Sequence, residues 1–238
     1  MKNMQILSPS RPFEGFLPKD TSGCSGGRLS VLYDPRIQAA KRGLDILAAL
    51  AGLVLLGPLL VGLAVLIQFD SPGPPLYGQW RLGRGGKPFR LWKFRTMRHP
   101  TGNSLAGYLR AHPAARQEWD QYQKLHRDPR LTRLGRFLRR YSLDELPQLV
   151  NILTGEMSLV GPRPFMLKQR EIYGSPYRDY IRLRPGLTGL WQVSGRNLIS
   201  FHERAALDQT YIDCWSIQLE CAILWRTLGA VLRGDGAY

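Results

Sequence analysis

The chain has 238 residues, with 33 Lys+Arg against 18 Asp+Glu, a formal net charge of +15. A hydrophobic content of 44% beside 21% charged residues excludes a wholly disordered chain. A pI near 10.2 points to anionic partners, whether nucleic acid, an anionic membrane face or phosphorylated substrates, and charge alone does not choose among them.

Residues 1–38 are rich in Pro, Gly and Ser ("SPSRPFEGFLP", "TSGCSGG") and read as a flexible N-terminal tail. Residues 39–70 hold an apolar run, "LDILAALAGLVLLGPLLVGLAVLIQF", whose strongly polar members, Asp45 and Gln68, lie at its ends. Roughly 20 apolar residues suffice to cross a bilayer as a helix. The run has no polar face, and it starts too far from Met1 for a cleaved signal peptide. Pro58 removes a backbone donor near its middle, which predicts a kink. Each arm is then about 13 residues, or roughly 20 Å, deep enough to enter the bilayer but not to cross it. Lys41 and Arg42 precede the run, and Arg81, Arg84, Lys87 and Arg90 follow it. The positive-inside rule holds both flanks in the cytoplasm, which a helix that enters, bends at Pro58 and returns satisfies. A proline-kinked spanning helix is the alternative.

"DSPGPPLYG" at 70–78 is a turn cluster that closes the membrane segment. "KPFRLWKFRTM" at 87–97 alternates, with Arg90, Trp92 and Phe94 on one face and Leu91, Lys93 and Arg95 on the other, which predicts a short strand. "RLTRLGRFLRRY" at 130–141 reads as a helix with a basic stripe (Arg130, Arg133, Arg136, Arg140) and an apolar one (Leu131, Leu134, Leu138, Tyr141). Such a helix suits a membrane surface, a phosphate-lined cleft or a plain solvated face. "SLVGPRP" at 158–164 and "RLRPGLTGLWQVSGRN" at 182–197 are turn-rich loops. Ile217, Cys221, Leu224, Leu228 and Val231 recur at helical spacing, in either a core-packing helix or a second interfacial one. The histidines show no metal-binding spacing, so a metal would need oxygen ligands. Cys214 and Cys221, seven residues apart on one expected helix face, would lie about 10 Å apart, too far to bridge. They read as buried thiols in a reducing compartment.

Against this basic background "RRYSLDELPQL" (139–149) sets two acids, Asp144 and Glu145, just after two arginines. One reading is a capping box, with Ser142 and Glu145 opening a helix, although Pro147 shifts the expected start toward itself. The other is chemical. Asp144 beside Arg139 and Arg140 should stay ionised, and an ionised carboxylate can attack phosphorus to form an acyl phosphate. Attack on a diphosphate needs cations, which Arg139, Lys93, Arg95 and Arg163 can supply, and magnesium could bridge Glu145 and the phosphates. "RGGKP" is not a P-loop, and "QVSGR" is not a nucleophile elbow.

Taken together, "KRGLDILAALAGLVLLGPLLVG", "WKFRTM", "RLTRLGRFLRRYSLDELPQLVNILTGEMSLVGPRP", "RPGLTGLWQVSGRN" and the closing "GAY" resemble the bacterial sugar transferases that act on polyprenyl phosphate, the monotopic phosphoglycosyl transferases. The resemblance runs from about residue 39 to the end. It implies an α+β, predominantly helical fold: a re-entrant membrane helix broken at Pro58, with interfacial amphipathic helices around a small catalytic domain at 71–238 on the cytoplasmic face of the bacterial inner membrane. It implies transfer of a sugar-1-phosphate from a UDP-sugar, with a lean toward glucose or galactose, to undecaprenyl phosphate. UMP would leave, and the first membrane step of an exopolysaccharide, capsule or O-antigen would result. Asp144 would be the nucleophile that carries the phosphosugar, with Glu145 beside it and Mg2+ as cofactor, held by Glu145 and Asp144. Arg139, Lys93 and Arg163 would contact phosphate, and Gln192 and Arg196 would help to place the nucleotide or sugar. Glu156 and Glu220 stand where relatives commonly carry Asp. Membrane lipids are implied partners, nucleic acid is not, and an oligomer is compatible with the resemblance. A glycosyltransferase of another class would release UDP instead. A nucleic-acid-binding protein would use the charge but gives no reason for the acid pair.

Overall fold

The computed structural model describes residues 32–98, 105–122, 125, 128–174, 176–194 and 201–234. Most of the expected N-terminal tail, Cys24, Arg196 and the closing "GAY" lie outside the described residues. The predominantly helical α+β character expected from the sequence is what the structure has.

Helix α1, Pro35–Asp70, begins inside the expected tail, because Asp34 caps it with a side-chain bond from the Arg36 N–H (2.7 Å) and Pro35 opens its first turn. Its 36 residues make a rod of about 54 Å. The helix continues through Pro58 rather than ending there. One missing donor is a local loss that the surrounding Leu and Ala turns absorb. Strand β1, Leu76–Leu82, takes the last residues of the expected turn cluster and pairs antiparallel with β2, Pro88–Phe94. β2 buries Phe89, Leu91 and Phe94. Two short helices follow, α2 (Leu105–Ala111) and α3 (Pro113–Tyr122), and then α4 (Arg133–Arg140) and α5 (Gln148–Leu153). The turn-rich loops supply a short parallel pair, β3 (Ser158–Val160) with β4 (Gly186–Thr188). A parallel pair needs a crossover, and α6 (Arg170–Tyr173) and α7 (Tyr177–Tyr180) lie within it. α8 (Leu190–Val193), α9 (Phe201–Asp213) and α10 (Ile217–Arg233) complete the described chain.

α1 is apolar and long enough to cross a membrane, yet it buries few residues, chiefly Asp45, Ala49, Leu63 and Ile67. Those few are spread along it and meet one body. Ala49 packs with Leu149, Ile152 and Leu91, while Leu63 and Ile67 pack with Phe94 and Leu138. Polar bonds reinforce the N-terminal half. Asp45 accepts from the Leu159 N–H (3.0 Å), Arg42 donates to the carbonyls of Ile152 and Leu153 at the end of α5, and Lys41 pairs with Glu220 (2.8 Å).

The C-terminal helix resolves the choice left open by its spacing. Leu219, Ala222, Ile223 and Ala230 face the core, whereas Ile217, Cys221, Leu224, Trp225, Leu228 and Leu232 are exposed. Cys214 is buried as expected, but the reading of Cys214 and Cys221 as two buried thiols on one helix is corrected. Cys214 follows the end of α9 and is disulfide-bonded, and Cys221 is a free, exposed thiol on α10.

Candidate active site

Helix α4 is set by Thr132, whose hydroxyl accepts from the Gly135 N–H (2.8 Å). A side chain at Gly135 would place its Cβ 2.0 Å from the Thr96 carbonyl oxygen, so only glycine lets α4 lie this close to the end of β2. Thr96 also accepts from Arg139 Nε (3.0 Å), which turns that guanidinium inward while Arg133, Arg136 and Arg140 stay exposed. α4 stops at Ser142, which adopts a left-handed conformation (φ 55°) that costs a non-glycine residue about 1 kcal/mol. The chain then makes one tight turn over Leu143–Glu145 and re-enters a helix at Gln148, with Pro147 just before it. The capping box therefore does not form. Ser142 makes no side-chain cap, and the start near Pro147 is the one found.

That turn puts Asp144 and Glu145 beside β2 and beside the loop after β3. Lys93 Nζ lies 2.5 Å from Glu145 Oε1 and 3.8 Å from Asp144 Oδ2. Arg163 Nη2 donates to the same Glu145 oxygen at 2.8 Å. Lys93 is held in place from behind. Asn151, fully buried, accepts from the Trp92 N–H (3.0 Å) and donates to the Arg90 carbonyl (2.8 Å), tying α5 to β2. Glu156 accepts from the same Asn151 amide (2.6 Å). Glu220 accepts from Tyr211 (2.7 Å) and Trp215 (2.8 Å) as well as from Lys41. Both glutamates singled out in the sequence thus hold the scaffold rather than the acid pair.

The two acids differ electrostatically. Burial pushes the Asp144 carboxyl up, Lys93 opposes it, and the neighbouring Glu145 charge adds to the rise. Burial would raise Glu145 too, but the charges and hydrogen bonds of Arg163 and Lys93 outweigh it and hold that carboxyl well below the usual range. The expected pull of Arg139 on Asp144 is present, but burial and the Glu145 charge outweigh it, so the net direction is corrected to a rise. Arg140 is exposed beside the Tyr141 ring, and the closest bonds go to Glu145. Pairs whose environments push their pKa values apart divide roles, and the more basic carboxylate is the better nucleophile once its proton is gone.

Of the expected phosphate contacts, Lys93, Arg163 and Arg139 converge on the pair, the last through the field it shares with Asp144. Arg95 does not. β2 ends at Phe94, so the alternation that would align Arg95 with Lys93 stops one residue short, and its guanidinium caps the Ser71 and Pro72 carbonyls at the end of α1. Gln192 is buried on α8, against the turn at Gly189. Its neighbour Trp191 lies under the guanidiniums of Arg163 (5.5 Å) and Arg204 (4.9 Å). Sequence reasoning missed Asp208, whose Oδ2 accepts from Tyr173 (2.8 Å) and whose surroundings include the backbone of Arg163. Asn151 left a signal, an amide amid the apolar run "LVNIL". Asp208 left none, since its partners lie far away in the chain.

Among the described residues no group of three or more His, Cys, Asp or Glu is disposed to hold a metal. Two adjacent carboxylates, one with an oxygen already taken by Lys93 and Arg163, still suit magnesium, which keeps several waters and binds one or two carboxylates together with substrate phosphates.

Comparisons with known proteins bear on this site. The profile of the family described as Bacterial sugar transferase matches residues 36–234. The Exopolysaccharide production protein ExoY of Rhizobium meliloti (strain 1021) is 42% identical over 231 residues, which cover 97% of each chain. The UDP-galactose-lipid carrier transferase of Erwinia amylovora is 48% identical over 198 residues, covering 83% of this chain and 41% of the relative, so the chain spans less than half of that protein. The UDP-glucose:undecaprenyl-phosphate glucose-1-phosphate transferase of Caulobacter vibrioides is 39% identical over 211 residues, covering 85% of this chain and 73% of the relative. With its acid pair, basic cluster and apolar helix all inside the matched segment, this chain belongs to the bacterial sugar transferases, a family of enzymes.

Proposed function

We propose that the protein transfers a sugar-1-phosphate from a UDP-sugar to undecaprenyl phosphate through a covalent aspartyl phosphosugar. The single observation that carries this reading is the split acid pair: Glu145 clamped as an anion by Lys93 (2.5 Å) and Arg163 (2.8 Å), and Asp144 beside it with a raised carboxyl and only the longer Lys93 contact (3.8 Å). An Asp144 oxygen attacks the sugar-bearing phosphorus, and the bond from that phosphorus to the oxygen shared with the nucleotide phosphate breaks, so UMP leaves with the electron pair. A phosphate oxygen of the lipid then attacks the same phosphorus, the bond to Asp144 breaks, and the carboxylate is restored. Lys93, Arg163 and Arg139 offset the negative charge that builds up around the phosphorus. Magnesium, held by Glu145 and Asp144, would supply further charge neutralisation on the diphosphate when bound. The relatives' names support a UDP-hexose, glucose or galactose, and the undecaprenyl carrier.

We place α1 at the cytoplasmic face of the inner membrane, inserted from one side; its packing supports the one-sidedness and its basic flanks support the face. A rod that crossed the bilayer would place its two halves on different sides or within the hydrocarbon. Here Asp45 and Ala49 toward one end, and Leu63 and Ile67 toward the other, all contact one body. α10, with Ile217, Leu224, Trp225, Leu228 and Leu232 outward, serves as an interfacial helix in this reading.

The test incubates the full chain with UDP-glucose or UDP-galactose alone, looks by mass for a hexose-phosphate adduct, and then measures UMP release with polyprenyl phosphate present. Asp144→Asn should lose the adduct and slow UMP release by about 10³-fold or more. Full UMP release by Asp144→Asn would end the nucleophile assignment, and UDP as the product would move the enzyme to another class.

A further inference from the structure

In the β1–β2 pair Tyr77 stands opposite Lys93, Gln79 opposite Leu91 and Arg81 opposite Phe89. Directly opposed residues share a face, as do alternate residues along a strand. Arg81 therefore stands on the face from which Lys93 reaches the acid pair. Its guanidinium is oriented: Nη2 donates to Gln79 Oε1 at 2.6 Å, and Gln79 Nε2 in turn donates to Met166 Sδ at 3.6 Å. The Leu82 N–H donates to the Phe165 carbonyl (3.0 Å), so the strand is joined to the segment that carries Arg163.

Arg81 is half-buried, and its Nε is buried with no acceptor among the described residues. No carboxylate among the described residues forms an ion pair with it. Burial lowers the guanidinium to about 10, the Arg163 charge adds to the fall, and the Glu145 charge opposes it. The group still carries its charge at neutral pH. A buried cation with a spare donor is costly unless an anion meets it. Glu145 contributes its field, but it makes no ion pair with Arg81, and its Oε1 takes Lys93 and Arg163 instead.

We infer that Arg81 binds a phosphoryl oxygen of a substrate, with Gln79 holding its guanidinium in position. This rests on the proposed function, and two substrates offer that chemistry: the diphosphate of the nucleotide donor and the phosphate of the lipid acceptor.

The test uses the full chain in lipid–detergent particles with Arg81→Gln, Arg81→Lys and, as control, Arg116→Gln on the exposed face of α3. The readouts are the Kd for inorganic pyrophosphate, the KM for the UDP-sugar and the KM for polyprenyl phosphate, beside thermal melts. Arg81→Gln should raise one KM about tenfold, the scale of a lost charge-assisted bond, and change kcat less. A rise in donor KM together with pyrophosphate Kd assigns the donor, and a rise in acceptor KM alone assigns the acceptor. Arg116→Gln should stay within about twofold throughout. If Arg81→Gln loses its cooperative melt, Arg81→Lys carries the test: a point charge in place of the planar fork should raise one KM about threefold with the melt kept. A folded variant with both KM values and the pyrophosphate Kd unchanged overturns the inference. A wild-type chain that binds pyrophosphate but forms no lipid product overturns the proposed function instead, and leaves the pyrophosphate contrast at Arg81 readable.

Discussion

Asp208 is buried, bonded to Tyr173 and beside the backbone of Arg163. Burial pushes its carboxyl up to about 8, against the Tyr173 bond and the Arg163 backbone and charge. An unfolded aspartate titrates near 3.9, so the folded chain binds this proton more tightly. The contribution to stability is complete below about pH 4 and is lost as pH rises through about 8, with a slope of up to about 1.4 kcal/mol per pH unit. Asp144, also raised, adds a slope of the same sign. Thermal melts across pH 5 to 8 should therefore fall with pH in the wild-type chain and flatten in Asp208→Asn; an unchanged slope would show that Asp208 does not hold its proton. At this scale the sequence exposed what lies close in the chain or carries a motif. Asp144 and Glu145 were legible as acids set against arginines, while Lys93 and Arg163 were picked out by the motifs of the family resemblance. Arg95 was misplaced because alternation was extended one residue past the end of a strand. Arg81 reads only as a flanking charge, because the strand pairing that sets it on the face of Lys93 is not local, and Asp208 went unremarked because Tyr173 lies far away in the chain.

Helices and strands tell a similar story, with packing as the deciding term. Alternation at 87–97 gave β2, but its partner β1 was hidden inside a Pro/Gly-rich stretch, since a strand's pairing is set by the chain it meets. The "SLDE" signal lost to Pro147, whose missing donor is harmless only near a helix start. α10 had the right period, but period does not say which stripe faces inward. Its core side consists of Leu219, Ala222, Ile223 and Ala230, and Cys221 sits on the outward apolar side with Trp225 and Leu228. If that side rests on lipid, Cys221 in vesicles should react with a water-soluble maleimide about tenfold more slowly than a cysteine at position 116, introduced as Arg116→Cys with Cys221→Ser. Equal rates would leave α10 facing water.

At the scale of the whole molecule, a net charge of +15 and the long apolar helix α1 describe an enzyme suited to an anionic membrane face. Both ends of α1 should be reachable from one side. Arg36→Cys and Asp70→Cys, each labelled with an impermeant reagent in inside-out vesicles, should both react, and neither should react in right-side-out vesicles. Labelling from opposite sides would refute one-sided insertion. Composition made the apolar helix legible; its lengthwise contacts with the rest of the chain were not, because a hydrophobic run carries no record of which few residues are covered. Those contacts make α1 a ruler. Leu149 touches it just beyond the acid turn, and Leu138 touches it just before, so whatever depth the rod takes in lipid sets the height of Asp144 above the hydrocarbon. If Asp144 is the nucleophile proposed above, an acceptor whose phosphate is tied to a long lipid tail can meet that oxygen at one level only, and a change in bilayer thickness would be felt there.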